Sequence, residues 1–197
     1  LPNNVTNKEL IDAFYDVKKE NFVPKEHYDL TYSDAEIKVS KDRFMMKTFV
    51  VAKMLDRCNF NKDDKILFIG CLTGYTLAIV SKMVNYVFGI DNDKQITEIA
   101  SKNINDLNIL NCSIFYKKEL SQGLSKNAPY DKIFIEGSVK SIPSPLVKQL
   151  KNNGEIFVIL KNEDYIGEYV RALKIESNLS IEKFFNTSLK DSLDIMI

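Results

Sequence analysis

The chain has 197 residues, long enough for one domain with a full hydrophobic core. Its 27 Lys and Arg residues balance 27 Asp and Glu residues, so no net charge argues for a nucleic-acid partner or a membrane surface. Three unpatterned cysteines, with no signal peptide and no membrane-spanning stretch, argue against a secreted or membrane protein and predict a cytoplasmic one without a metal site.

The N-terminal part is predicted to form a mostly helical cap. Thr6 and Glu9 make a capping box that opens a helix over residues 5–20. The stretch that follows scatters apolar residues among charges without a regular period. Apolar residues at helical spacing then predict a second helix over residues 44–58, which leads into the central strand.

The central stretch is a strand, a glycine turn and a helix. Residues 66–69 form a short apolar run, typical of a parallel strand that is buried on both faces. The strand stops at Gly70 and a helix begins at Gly74, which leaves backbone N–H groups free to face a ligand. Asp91 closes the next apolar run, about 20 residues after the first glycine, where an acid can accept hydrogen bonds from the ribose of a nucleotide-type cofactor.

Beyond Asp91, strands and helices continue to alternate. Short apolar runs predict the strands, and apolar residues at helical spacing predict the helices. The predicted order is a helix over residues 93–107, strands over 112–116 and 132–135, a helix over 146–150 and a strand over 155–160. This alternation predicts a parallel, doubly wound sheet.

The C-terminal part changes character. Residues 165–175 and 179–189 are two extended stretches around a polar turn, which predicts an antiparallel hairpin at the edge of the sheet. No repeat, linker or low-complexity segment interrupts the chain, so we expect one domain. Its parts would be a helical cap over residues 1–60, a cofactor-binding core over 61–160 and a hairpin over 161–197.

Four groups of residues occur in an order that is typical of a known family. They are Phe22-Val23-Pro24 with Tyr32 and Asp34, the turn from Gly70 to Tyr75, the run Ala128-Pro129-Tyr130-Asp131, and Pro143 with Leu146, Gln149, Leu150 and Gly154. Together they resemble the protein-L-isoaspartate (D-aspartate) O-methyltransferases over nearly the whole chain. The resemblance implies the α/β, Rossmann-like methyltransferase fold, with a mostly parallel doubly wound sheet, a C-terminal antiparallel hairpin and N-terminal helices.

The resemblance also implies a function. The activity would be methyl transfer from S-adenosyl-L-methionine to a side-chain carboxylate of damaged proteins that carry isoaspartyl residues. The partners would be protein or peptide substrates of a monomeric enzyme of protein repair, with no nucleic acid and no membrane. The residues that the resemblance assigns to the cofactor are Gly70, Cys71, Gly74 and Tyr75 in the turn, Asp91 for the ribose and Glu119 near the adenine. It assigns no catalytic residue.

Three positions depart from the pattern of this family. Phe68 stands where an acid is usual on the first strand, and Leu72 replaces the middle glycine of the turn. Met46 replaces a Ser or Thr beside the substrate carboxylate, and a thioether is a poor hydrogen-bonding group. Two other functions therefore stay open: a methyltransferase for another acceptor, and a protein that uses the fold only to bind a partner. A nicotinamide dehydrogenase ranks third, because the full glycine fingerprint is absent.

A ligand pocket is expected at the carboxyl ends of the parallel strands. The residues predicted to line it are Gly70, Gly74, Asp91 and Glu119. Leu72 has two alternative positions. In the pocket, its side chain would clash with the methionine part of the cofactor. In the packing between sheet and helix, it would be a core residue.

Overall fold

A computed structural model describes residues 5–40, 43–161 and 166–188. The strands in these residues are β1 (Ile37–Ser40), β2 (Arg43–Met45), β3 (Lys65–Ile69), β4 (Tyr86–Asp91), β5 (Cys112–Tyr116), β6 (Tyr130–Val139), β7 (Leu150–Lys161), β8 (Ile166–Ile175) and β9 (Asn178–Ser188). The helices are α1 (Lys8–Asp16), α2 (Thr48–Asp56), α3 (Tyr75–Ser81), α4 (Lys94–Asp106) and α5 (Ser144–Lys148). Short 3₁₀ helices cover Lys19–Asn21, Lys25–Leu30, Leu120–Gln122 and Ser125–Asn127.

One sheet contains seven of these strands, in the order β5-β4-β3-β6-β7-β8-β9. The strands from β5 to β7 in this order pair in parallel, whereas β8 pairs antiparallel with β7 and β9 pairs antiparallel with β8. The predicted parallel sheet with a C-terminal antiparallel hairpin is therefore confirmed. The predicted outer ends of that hairpin, Tyr165 and Leu189, lie outside the described residues.

Three central parallel strands reach the same level at one edge of the sheet. Ile69 of β3 lies beside Ile90 of β4 on one side and beside Ile135 of β6 on the other. The chain leaves β3 and β4 at this edge and enters α3 and α4 there. In parallel sheets this edge is where ligands bind, because the loops and helix starts converge on it.

The first helix is shorter than predicted. It begins at Lys8 with Asn7 as its N-cap, because the Asn7 side chain accepts a hydrogen bond from the backbone N–H of Leu10 at 3.1 Å. The predicted cap at Thr6 is therefore wrong. The backbone N–H groups of Thr6 and Asn7 instead donate to Oδ1 of Asp56, at 3.2 and 3.1 Å. These two bonds fix the residues just before α1 against the end of α2.

The second helix begins at Thr48 rather than at residue 44. The three residues of β2 form a strand that pairs antiparallel with β1. Ile37 of β1 and Met45 of β2 lie opposite each other, and both side chains are buried. Apolar residues that fit a helical period in the sequence thus satisfy the alternation of a short hairpin. The cap is therefore not purely helical.

Apolar side chains cover both faces of the large sheet. Successive residues of a strand point to opposite faces, so Phe68 packs with the layer of α1, α2 and α3, and Leu67 packs on the other face with Leu146 of α5. The hydroxyl of Tyr169 in β8 donates to the carbonyl of Met54 in α2 at 2.8 Å, which ties the hairpin to the helical layer. None of the helices in the described ranges is long and apolar enough to cross a bilayer.

Candidate functional site

The turn after β3 crosses the end of β4. The backbone N–H groups of Gly70 and Cys71 donate to the carbonyl of Ile90, at 2.9 and 3.2 Å. Gly70, Leu72 and Gly74 have positive φ values of 75°, 48° and 90°. Glycine adopts such values freely, but a leucine there is strained. The turn therefore keeps its left-handed residues although the middle one is no longer a glycine.

Asp91 holds this turn from the last position of β4. Its side chain is fully buried, and its Oδ2 accepts a hydrogen bond from the backbone N–H of Leu72 at 3.0 Å. Its Oδ1 accepts from the backbone N–H of Asp93 at 3.1 Å. Asp93 in turn caps α4 by accepting from the backbone N–H of Ile96. One carboxylate thus fixes both the turn and the approach to α4.

The guanidinium of Arg43 forms an ion pair with the carboxylate of Asp91. Its Nη1 donates to Oδ1 of Asp91 at 2.9 Å and its Nη2 donates to Oδ2 at 3.1 Å, which makes a bidentate ion pair. Nη1 also donates to the side-chain oxygen of Asn92 at 3.2 Å. Sequence reasoning gave Arg43 no role. The one available signal was its rarity, since the chain has only three arginines among its basic residues.

A second buried carboxyl group lies at this edge of the sheet. Glu136 follows Ile135 in β6, and its Oε1 accepts a hydrogen bond from the hydroxyl of Thr76 at 2.9 Å. Its Oε2 is buried without a hydrogen-bond partner among the described residues. Burial raises the pKa of Glu136 to about 8, against the opposing effects of the Thr76 hydrogen bond and the Arg43 charge. Glu136 is therefore mostly a neutral acid at pH 7.

The side chains of Cys71 and Tyr75 are buried. Burial raises the pKa of the Cys71 thiol well above its usual value, so this thiol is not a nucleophile. The ring of Tyr75 packs against the rings of Phe14 and Phe22, with centroid distances of 6.3 and 5.5 Å. Of these two residues, only the backbone can contribute to a ligand site at the turn.

Glu119 lies in the segment after β5 and is exposed. The backbone N–H of Lys117 donates to the carbonyl of Asp91 at 2.8 Å, which brings this segment to the edge where the turn lies. The six residues assigned to the cofactor therefore gather along one edge of the sheet. A cavity of about 580 Å³ lies beside this edge, in front of Tyr75, but Gly70, Gly74, Asp91 and Glu119 are not among its lining residues. Their assignment to a pocket stays a prediction.

The three departures from the family pattern are all buried. Phe68 is fully buried and its ring lies 4.8 Å from the ring of Phe134. Leu72 and Met46 are each 4% exposed and belong to the apolar core beneath α1, α2 and α3. Leu72 thus takes the second of its two alternative positions, the core.

The comparison of sequences matches the model of one protein family to residues 2–187: "Protein-L-isoaspartate(D-aspartate) O-methyltransferase". A protein-L-isoaspartate O-methyltransferase of Fervidobacterium nodosum is 30% identical over 172 residues, which cover 86% of this chain and 83% of that protein. One of Dictyoglomus turgidum is 28% identical over 162 residues, which cover 82% of this chain and 73% of that protein.

Solved structures share the fold. A protein-L-isoaspartate O-methyltransferase superposes with a TM-score of 0.83 at 22% identity. The match covers 95% of this chain and 62% of the other, so this chain spans less than two thirds of the length of that protein. A Plasmodium falciparum protein of the same description, crystallised with S-adenosyl-L-homocysteine, superposes with a TM-score of 0.79 at 19% identity. That match covers 93% of this chain and 89% of the other.

Proposed function

Because the chain belongs to the protein-L-isoaspartate (D-aspartate) O-methyltransferase family, we propose that it transfers a methyl group from S-adenosyl-L-methionine to isoaspartyl residues of damaged proteins. The observation that carries the proposal is the family match over residues 2–187, which contains the glycine turn, Asp91 and the N-terminal cap. In an isoaspartyl residue the backbone passes through the side-chain carboxyl carbon, so the α-carboxylate is left free as the methyl acceptor.

The residues at the edge of the sheet fit the ribose of this cofactor on one condition. Asp91 offers both carboxylate oxygens to a fork of two donors, as it does to the guanidinium of Arg43. Two adjacent ribose hydroxyls present a similar pair of donors. Ribose and Arg43 therefore compete for one carboxylate, and Asp91 holds a cofactor only when Arg43 has turned away.

The reaction needs little acid–base catalysis by the residues of the chain. When bound, S-adenosyl-L-methionine supplies an electrophilic methyl group. A free carboxylate is already ionised at neutral pH, so no residue has to remove a proton from it. The contribution of the chain is to align the acceptor and to keep water away.

Two observations favour the alternatives. The Arg43–Asp91 pair favours a protein that keeps the fold and binds a partner without the cofactor, because ribose must first break a bidentate ion pair. The buried thioether of Met46 favours an acceptor other than isoaspartate, because no hydroxyl stands at that position.

A titration and a methylation assay separate these functions. We expect the chain to bind S-adenosyl-L-homocysteine and to methylate a peptide with one isoaspartyl residue, but not the same peptide with aspartate. Binding of the nucleoside without methylation of the peptide would support another acceptor. Absence of both would support the binding protein and overturn the proposal.

The setting of the reaction is part of the same proposal. We place it in the cytoplasm, as protein repair by a monomer. The support is the balanced charge of the chain and its three free cysteines, which fit a reducing compartment.

We expect Leu72→Gly to raise the affinity for S-adenosyl-L-homocysteine and to lower the melting temperature. Glycine adopts the left-handed φ of this position without strain, so the backbone of the turn can adjust to a ligand, but the change removes a leucine from the core. Calorimetric titration and thermal unfolding measure the two effects. An affinity equal to that of the parent would mean that Leu72 affects packing only.

We expect Met46→Ser to leave the affinity for S-adenosyl-L-homocysteine unchanged and to raise kcat on the isoaspartyl peptide. A hydroxyl restores the hydrogen-bonding group that the resemblance implies for this position. Because Met46 is buried, the variant should also lose roughly 2–5 kcal/mol of unfolding free energy. Steady-state kinetics test the first effect, with the double variant Leu72→Gly, Met46→Ser expected to be the most active. A fall in kcat without a change in binding would count against this role.

A further inference from the structure

The cavity in front of Tyr75 has the size of a site for a small ligand or a few peptide residues. Its volume is about 580 Å³, within the range of ordinary ligand sites. It lies between α1, the first 3₁₀ helix, the segment before β1 and the start of α2. Its lining includes Lys19, Thr48 and the aromatic residues Tyr15, Tyr32, Phe49 and Tyr75.

Lys19 places a buried positive charge in this cavity. The residue is 2% exposed, and its Nζ donates one hydrogen bond, to the hydroxyl of Thr48 at 2.8 Å. Among the described residues no carboxylate forms an ion pair with it. An ammonium group has three N–H donors, so two are left for a ligand. A buried charge without a counter-charge is costly, and an anion in the cavity would remove that cost.

The acids near the cavity have other partners. Asp34 is largely exposed at the rim and pairs with Lys47 at 3.8 Å. Glu20 accepts a hydrogen bond from the hydroxyl of Tyr32. Neither acid neutralises the charge of Lys19. Burial lowers the pKa of Lys19 to about 8, so its ammonium group is mostly protonated at pH 7. The remaining lining groups that titrate are the tyrosines Tyr15 and Tyr75.

The rim of the cavity is aromatic and open to solvent. Tyr15 is 74% exposed, Tyr32 is 75% exposed and Phe49 is 42% exposed. Exposed aromatic residues that surround a pocket are typical of surfaces that bind peptides, because large rings bury much area with little loss of entropy. The cavity thus combines an apolar rim with one buried cation, which fits a peptide with a carboxylate.

We propose that this cavity binds the acceptor peptide, and that the ammonium group of Lys19 receives the free carboxylate of the isoaspartyl residue. This inference rests on the proposed function, which supplies the carboxylate. The Thr48 hydroxyl orients the ammonium group by accepting one of its hydrogen bonds. The rim rings of Tyr15, Tyr32 and Phe49 pack against the residues that flank the isoaspartate.

The test compares two peptides that differ in one charge. One carries an isoaspartyl residue, and the other carries its amide, isoasparagine, at the same position. We expect the full chain to bind the carboxylate peptide about tenfold or more tightly, as measured by fluorescence anisotropy. Lys19→Met should abolish this preference and leave the affinity for S-adenosyl-L-homocysteine unchanged. Lys19→Arg should keep the preference.

A matched control is Lys126→Met. Lys126 is exposed in the segment before β6 and does not line the cavity, so this variant should keep the preference. Thermal unfolding of each variant checks that it folds. Should Lys19→Met fail to fold, the pH profile still decides. The preference of the parent should fall as pH rises through about 8, because Lys19 loses its charge there. The preference of Lys19→Arg should persist, because arginine stays charged.

The outcomes separate this inference from the proposed function. If the parent methylates the isoaspartyl peptide but Lys19→Met retains the preference, the function stands and the role of Lys19 is overturned. A parent that methylates the peptide without preferring its carboxylate form overturns it too. If the parent neither methylates nor binds the isoaspartyl peptide, the proposed function fails, and this inference fails with it.

Discussion

At pH 8, Glu136→Gln should raise the free energy of unfolding by about 3–5 kcal/mol. The reason is that burial raises the pKa of Glu136 from 4.5 to about 8. The folded protein at pH 8 must either hold a proton that the unfolded chain releases or carry a buried charge. Glutamine keeps the shape of the side chain and can still accept the hydrogen bond from Thr76.

The sign of the effect fixes the pH window. Below about 4.5 the folded and unfolded states both hold the proton, so Glu136 contributes no pH dependence. Between about 4.5 and 8 only the folded state holds it, so the stability of the parent falls as pH rises. Above about 8 both states release the proton, and the loss becomes constant. The stability of Glu136→Gln should not show this fall with pH.

Chemical denaturation of parent and variant at pH 5, 6, 7 and 8 measures the window. The stability difference between them should grow with pH. Glu119→Gln is the matched control, because Glu119 is an exposed acid at the same edge of the sheet. A difference that stays constant from pH 5 to 8 would mean that Glu136 does not titrate in this range, and that its burial is compensated in the folded protein.

The central sheet could be predicted because its strands are buried on both faces. A short apolar run such as residues 66–69 has few alternatives once a glycine turn and a helix follow it. The spacing from Gly70 to Asp91 follows from the same unit, because the connection through α3 returns the chain to a neighbouring parallel strand. The antiparallel hairpin at the C terminus was predictable from its two long extended stretches around a short turn.

The contacts that decide the site could not be predicted in this way. Arg43 reaches Asp91 across 48 residues of sequence, from a strand of three residues that gives no periodic signal. The neighbouring apolar residues fit a helical period equally well, so the sequence does not distinguish the short hairpin of β1 and β2 from irregular chain followed by a helix. The burial of Glu136 and Lys19 depends on packing by distant elements. Their perturbed pKa values therefore exist only in the folded chain.

Arg43→Met should raise the affinity for S-adenosyl-L-homocysteine by at least about tenfold, because a ribose no longer has to displace a bidentate, charge-assisted pair. Asp91→Ala should act in the opposite direction and weaken binding by about 1.5–3 kcal/mol, typical of losing a charged hydrogen-bond partner. It also removes the acceptor for the backbone N–H groups of Leu72 and Asp93, so part of the loss comes through the turn. Calorimetric titration of both single variants and the double variant measures the coupling free energy between Arg43 and Asp91 in cofactor binding.

Arg57→Met is the matched control for the loss of an arginine. Arg57 is exposed at the end of α2, where its guanidinium lies 5.7 Å from the centre of the Phe184 ring. The Arg57→Met variant should leave the affinity for S-adenosyl-L-homocysteine unchanged. Thermal unfolding without ligand gives a second check on Arg43. Removing it leaves the buried Asp91 carboxylate without its counter-charge, so Arg43→Met should melt at a lower temperature than the parent.

The two readouts together distinguish a competitor from a ligand-binding residue. If Arg43 competes with ribose, its removal lowers the stability of the free protein and tightens binding, because both effects come from the same ion pair. If Arg43 were part of the cofactor site, its removal would weaken binding instead, and Asp91 would then recognise the ligand through Arg43. In the double variant the gain from Arg43→Met should vanish, because without Asp91 there is no carboxylate for arginine and ribose to share.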